Sequence, residues 1–443
     1  MKIQISDHFT LNKLLRFALP SIVMMIFTSI YSVIDGLFVS NFVGKTSFAS
    51  VNLIMPFIMI LGAIGFMMGA GGSAIVSKTL GEGKSQKANE YFSMIILATA
   101  IGGITLSLIG AIFMPSIARL LGAEGKMLEN CVLYGRISMI SLTAFMLQNV
   151  FQSFFVTAGK PQLGLAVMIS AGFTNIVLDA LFVAGFHWGV AGAASATVSS
   201  EMIGGLIPLL YFSRSSKSTL HLTWAKPKRK ILVKTCTNGS SEFLTNISSS
   251  LVNMLYNFQL MRIAGENGIA AYGVIMYVNF VFCALFLGYS LGCAPLVGYN
   301  YGAGNHSELQ NLFKKSLRLI GCAGIILCVC ANLLSTPLSS LFVGYDPELF
   351  AMTSHGFKLY SLAFLFNGFS IFGSAFFTAL NNGAVSATIS ILRTLLFQIA
   401  AVLILPMILG INGIWLSIVA AEILAIFVTT TFFIKKRKEY HYA

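Results

Sequence analysis

Residues 17–44 read FALPSIVMMIFTSIYSVIDGLFVSNFVG. This apolar run is longer than the roughly 20 residues that cross a bilayer core. It does not alternate as a strand would, and it holds one charged side chain, Asp35. In hydrocarbon, a helix satisfies its backbone within one segment and an open strand does not. The stretch therefore reads as a membrane helix. An ionisable group inside such a helix costs about 2.5–3.5 kcal/mol on insertion scales, so Asp35 is a functional candidate.

The rest of the chain repeats this pattern. Of 443 residues, 56% are hydrophobic and 10% charged, against about 25% charged in soluble domains. Apolar runs fall near 14–40, 49–77, 91–113, 131–155, 163–184, 190–212, 237–261, 269–297, 313–335, 356–378, 385–406 and 413–434. The first is longer than a signal-peptide core and others follow it, so it reads as a span. The fold class is therefore an all-α membrane protein with twelve transmembrane helices. The seven cysteines are scattered and read as small apolar fillers, not as a metal knuckle. No GxxxxGK[ST] motif provides an ATP motor.

The net charge of +13 lies in the gaps between the runs. That fits membrane orientation better than nucleic-acid binding. Only Lys45, Arg119, Lys126, Arg136, Arg262 and Lys358 of the 28 Lys and Arg fall on one face. The others, from Lys2 through Lys217 to the Lys435–Lys438 tail, put both termini and the central linker in the cytoplasm. Arg393 reads as snorkelling to the inner surface.

The two halves match at a fixed offset of 221 residues. Gly44 pairs with Gly265, Gly81 and Gly83 with Gly302 and Gly304, Gly189 with Gly410, and Glu201 with Glu422. Six crossings per half place the pseudo-two-fold axis along the membrane normal, as rocking-bundle transport requires. The expected division is an N-terminal six-helix lobe at 1–212, a cytoplasmic linker at 213–236, and a C-terminal six-helix lobe with its basic tail at 237–443.

Among 15 carboxylates, five fall within spans: Asp35, Asp179, Glu201, Glu242 and Glu422. Asn175 and Asp179 are four apart on the fifth helix, and Thr197 and Glu201 four apart on the sixth, so each pair shares a face. Helix 5 enters from inside with Asp179 about 16 residues deep, and helix 6 from outside with Thr197 about 7 deep. The two groups meet near the depth of Asp35. Carboxylates with amide and hydroxyl oxygens suit a hard monovalent cation, and two close carboxylates can share a proton. Tyr31, one turn before Asp35, completes the set. The second half has Tyr256, Leu396, Ala400 and Ile418 at the equivalents of Asp35, Asn175, Asp179 and Thr197, so the ion site is expected in the first half. The shared position of Glu201 and Glu422 is as compatible with a structural role as with transport. Glu242 gives the second half a polar interior with Asn253, Asn257, Asn279 and Asn367.

With these residues in view, the chain resembles the multidrug and toxic compound extrusion (MATE) family over essentially its whole length. The resemblance rests on the opening stretch, SAIVSKTLGEGK (73–84), TAGKP (157–161), TNIVLDALFV (174–183), GVAGAASAT (189–197) and GINGIWLSIVAAE (410–422). It implies two six-helix lobes in a V, and secondary active export of drugs or organic cations in exchange for Na+ or H+. It also implies a coupling site at Asp35, Asn175, Asp179 and Thr197, with Tyr31, Glu201 and Glu242 as accessories. Some members pair a helix-7 Glu with a helix-10 Asp; Glu242 matches the first, and Asn367 stands where the Asp would fall. The implied setting is a monomer in the plasma membrane that takes small molecules, contacts lipid, binds no nucleic acid, and needs no cofactor beyond the coupling ion. The alternative is a flippase for a lipid-linked precursor, which would favour an arginine-rich cavity. An intramembrane enzyme finds no HExxH, GxSxG or clustered His, and a passive channel would conduct without saturable counter-ion flux.

Overall fold

The computed structural model describes residues 3–214 and 218–443. Lys2 and Lys217, and the side chain of Lys45, lie outside the described residues. No strand occurs among the described residues. The helices are α1 Leu11–Phe42, α2 Lys45–Gly81, α3 Ser85–Leu120, α4 Gly125–Thr157, α5 Pro161–Gly185 and α6 Gly189–Arg214. A 74-residue helical run, Arg229–Gly302, follows and breaks at Gly265 into α7 (229–264) and α8 (266–302). The series ends with α9 His306–Val343, α10 Pro347–Ala379, α11 Gly383–Leu409 and α12 Ile411–Tyr440.

The break at Gly265 is a reversal of direction. A straight helix would separate Asn253 and Tyr272 by about 28 Å, yet the Tyr272 hydroxyl donates to Asn253 Oδ1 at 2.9 Å. The Tyr256 and Tyr272 rings also stack at 5.1 Å. Gly265 allows the turn because its φ is +63°, a conformation other residues rarely adopt. Its repeat mate Gly44 has φ +96° and makes the turn between α1 and α2.

The helices overrun the apolar runs read from sequence. The third run begins at residue 91, but α3 starts at Ser85 and carries Lys87 and Glu90 in its first turns. A helix can leave the hydrocarbon without breaking its own hydrogen bonds, and polar side chains then face headgroups or water. Start signals fit: Thr10 caps α1, Asn305 caps α9 and Asp346 caps α10, each with its side-chain oxygen accepting a backbone N–H.

The repeat appears in the packing between the lobes, α1–α6 and α7–α12. A Cβ on Gly81 of α2 would stand 2.0 Å from the Tyr299 carbonyl of α8, and a Cβ on Gly302 of α8 would stand 2.0 Å from the Lys78 carbonyl of α2. Gly81 and Gly302 are repeat mates, as are Lys78 and Tyr299, so this contact lies on the pseudo-two-fold axis. The α2–α7 crossing, where Gly71 meets Gly239, recurs between α8 and α1, where Gly292 meets Ala18. These backbone approaches lie in the part of the helices nearest the linker. A strap before α1 adds to the closure at that end. Phe9, fully buried, donates its N–H to Glu308 of α9 at 3.0 Å, while Lys315 Nζ donates to the Phe9 carbonyl at 2.6 Å.

Candidate cation site

Two helices of the first lobe bring acidic and amide groups together. The Asp35 carboxylate of α1 is within hydrogen-bonding reach of Asn175 and Asp179, which stand one turn apart on α5. Asn175 and Asp179 are buried, Asp179 completely. Both Asp179 oxygens, one Asp35 oxygen and the Asn175 amide oxygen have no hydrogen-bond partner. These acceptors are sealed together with too few donors. Buried polar atoms are normally satisfied, and two adjacent carboxylates cannot both stay ionised without a cation between them or a shared proton.

The local backbone contributes. After Asp179, α5 changes from α to a π-turn over Ala180–Gly185. Such single wide turns are frequent at functional sites.

The remaining sequence candidates take different places. The Thr197 hydroxyl donates to the Ala193 carbonyl of its own helix at 3.1 Å; it also reaches the Tyr134 hydroxyl of α4, which lies within electrostatic reach of Asp35, Glu201 and Asp179. Tyr31 lies within electrostatic reach of Asp35 and Glu201 and packs against Gln148 of α4. Glu201 accepts a 2.5 Å hydrogen bond from Ser141 of α4. Glu242 is in the other lobe, near the Arg393 guanidinium. Sequence reasoning missed Tyr134, Ser141 and Gln148. All three are on α4, which has a long run of buried residues, Gln148, Asn149, Gln152 and Ser153 among them. Uncharged polar residues on a helix read as wholly apolar were the available signal.

Arg393 does not snorkel. Its guanidinium points into the second lobe and grips Glu422, with Nε 2.9 and 3.0 Å from the two carboxylate oxygens and an amino nitrogen 2.8 Å from one. Glu422 is 1% exposed, and desolvation of both charges makes the bidentate bond the alternative to leaving an isolated carboxylate in the lobe. Glu201 and Glu422 thus share a position but have different partners.

Twelve membrane helices in two repeat-related lobes, with a carboxylate cluster inside one of them, define a carrier of the two-lobed transporter class. The chain belongs to the MatE family, a family of transporters and not of enzymes; its family model matches residues 20–181 and again 243–404. The chain is similar to the Multidrug export protein MepA of Staphylococcus haemolyticus (strain JCSC1435), 25% identical over 417 residues, covering 94% of this chain and 91% of that protein. It is also similar to MepA of Staphylococcus aureus (strain NCTC 8325 / PS 47), 25% identical over 413 residues, with 92% and 90% covered. Among solved structures, the outward-facing conformation of a multidrug resistance MATE family transporter of the MOP superfamily superposes with a TM-score of 0.93 at 22% identity, covering 98% of both chains. A MOP superfamily transporter from Pyrococcus furiosus gives 0.89 at 22% identity, covering 98% of this chain and 96% of that one.

Proposed function

We propose that this protein is a plasma-membrane antiporter that exports drugs or organic cations in exchange for Na+ or H+. The observation that carries this reading is the sealed cluster of Asp35, Asn175 and Asp179, with oxygens that a small cation or a proton would satisfy. Thr197 and Tyr31 flank the cluster, Glu201 adds negative charge beside it, and Glu242 is the accessory in the second lobe. The names of the MepA relatives support export of drugs.

The mechanism follows from linkage. Cation binding relieves repulsion between Asp35 and Asp179 and draws α1 toward α5. A ligand shifts a conformational equilibrium only by its difference in affinity between the two states, and the drawn-in cluster is the state it favours. Drug leaves the space between the lobes as the ion enters, and the lobes (1–212 and 237–443, joined by a linker at 213–236) rock about the glycine crossings. The basic residues put the termini and linker in the cytoplasm, so the end closed by Gly81 and Gly302 is the cytoplasmic one. The chain works as a monomer in lipid, with no cofactor besides the ion. A flippase for an anionic lipid-linked precursor would need free cationic groups inside, and Arg393 is already neutralised by Glu422.

The test is proteoliposome efflux of a fluorescent cationic dye under imposed Na+ or pH gradients. Asp35→Asn and Asp179→Asn should each abolish gradient-driven efflux while the protein inserts normally. Undiminished coupled efflux in both variants refutes the site.

A further inference from the structure

The buried charges of the two lobes differ at positions that the repeat makes equivalent. Residue 393 of α11 is Arg, and its repeat mate on α5 is Gly172. A Cβ at Gly172 would already lie 2.6 Å from the Phe27 ring and 2.9 Å from the Tyr31 ring, so no long side chain fits there. In the first lobe the rings of α1 take this space, and among the described residues no basic side chain pairs with the nearby carboxylates. In the second lobe a guanidinium takes it and holds Glu422 from both oxygens. Arg393 lies in a π-turn, Leu392–Leu396, in the helix that corresponds to α5. Among the described residues, each lobe thus has one wide turn at or next to a charged group.

The groups around the pair do not compete for the guanidinium. Tyr256 of α7, Cys283 of α8 and Tyr360 of α10 stand within electrostatic reach of Glu422, and Cys283 and Tyr360 also of the guanidinium. Glu242 of α7 is within reach of the guanidinium too, but it is only half-buried, and its oxygens are not among the sealed atoms that lack partners. Glu422 is 1% exposed and depends on Arg393.

We propose that Arg393 is a resident counter-ion: it does permanently in the second lobe what the transported cation does in the first, and so limits the number of coupling ions the protein carries. This rests on the reading of the first lobe as the coupling site. Arg393 is a positioning and specificity-determining residue; it does not itself bind the ion. Without it, Glu422 becomes a second buried carboxylate without a partner, and takes up a proton or Na+.

The test counts bound cations on purified full-length protein, using 22Na+ at saturation and proton uptake by difference titration. Arg393→Gln should bind one more cation per chain than the unsubstituted protein. Arg393→Lys should bind the original number. The double variant Arg393→Gln/Glu422→Gln, which buries no lone charge and so folds even if the single variant does not, should return to the original number and keep gradient-driven dye efflux. An unchanged count in Arg393→Gln overturns the proposal. So does a double variant that loses coupled efflux while the ion removed by Asp35→Asn still binds. If Asp35→Asn and Asp179→Asn leave the ion count of the unsubstituted protein untouched, the first-lobe reading fails; the step between Arg393→Gln and the double variant still reports on Glu422 separately.

Discussion

Gly239→Ala should pry the lobes apart at the linker end. The added Cβ would lie 1.9 Å from the Met67 carbonyl oxygen and 2.9 Å from the Gly71 nitrogen, where real Cβ contacts do not come under 3.0 Å. Both neighbours are helix backbone and cannot turn aside, so α2 and α7 must separate by at least about 1 Å, and overpacking of this kind costs about 1–3 kcal/mol. Because the strain exists only while the lobes are closed at this end, it should lower the ratio of closed to open protein by roughly 5- to 150-fold. Cys236, one turn before Gly239 and with its sulfur 3.8 Å from the Met68 sulfur, reports on this seam. In a protein keeping only this cysteine, its labelling by a membrane-impermeant maleimide from the linker side should quicken by a factor in that range. Gly102→Ala is the control, since its Cβ would meet nothing within 4 Å. If Gly239→Ala labels no faster than Gly102→Ala, the glycine crossings do not hold the lobes closed.

Three further outcomes are expected. Arg393→Met alone should destabilise the detergent-solubilised protein by about 3–5 kcal/mol, whereas Arg393→Met with Glu422→Leu should be neutral or stabilising by about 1–4 kcal/mol; equal thermal melts for the single and double variants would contradict the pairing. Tyr134→Phe, which removes the hydroxyl that Thr197 reaches, should raise the ion concentration for half-maximal dye efflux without abolishing coupling, and an unchanged half-saturation removes Tyr134 from the site. Phe9→Ala should cost about 3–5 kcal/mol through loss of a fully buried ring, seen as a lower melting temperature; a melt within error of the parent would show that the strap contributes no stability.

The legible parts of the sequence were those in which one requirement acts along many residues. A span must be long and apolar, so the twelve crossings and their order could be read directly, including the two that meet at Gly265. Duplication imposes one offset throughout, so Gly44 and Gly265 could be paired before either turn was seen. Asn175 and Asp179 could be put on one face because helical spacing leaves no alternative. Features that depend on a single contact could not be read. Nothing in the pattern of residues 180–185 marks the π-turn after Asp179. Thr197 bonds to its own backbone, a rotamer that helical spacing does not specify. Tyr134, Ser141 and Gln148 had no charge to draw attention to them.

Arg393 is the most informative of these failures. A lone arginine within an apolar run has two outlets in a membrane: up its own stem to the headgroups, or sideways to a carboxylate. Distance along the chain favours the first, and only the neighbouring helix decides for the second. The repeat held the deciding signal, because Glu422 occupies the position of Glu201 and a sealed carboxylate needs a partner wherever it stands. In the first lobe Ser141 gives Glu201 one hydrogen bond and leaves its charge uncompensated; in the second, Arg393 compensates Glu422 fully. The same scaffold therefore holds a carboxylate at the same place in both lobes, and what meets it differs: the hydroxyl of Ser141 at Glu201 and the guanidinium of Arg393 at Glu422.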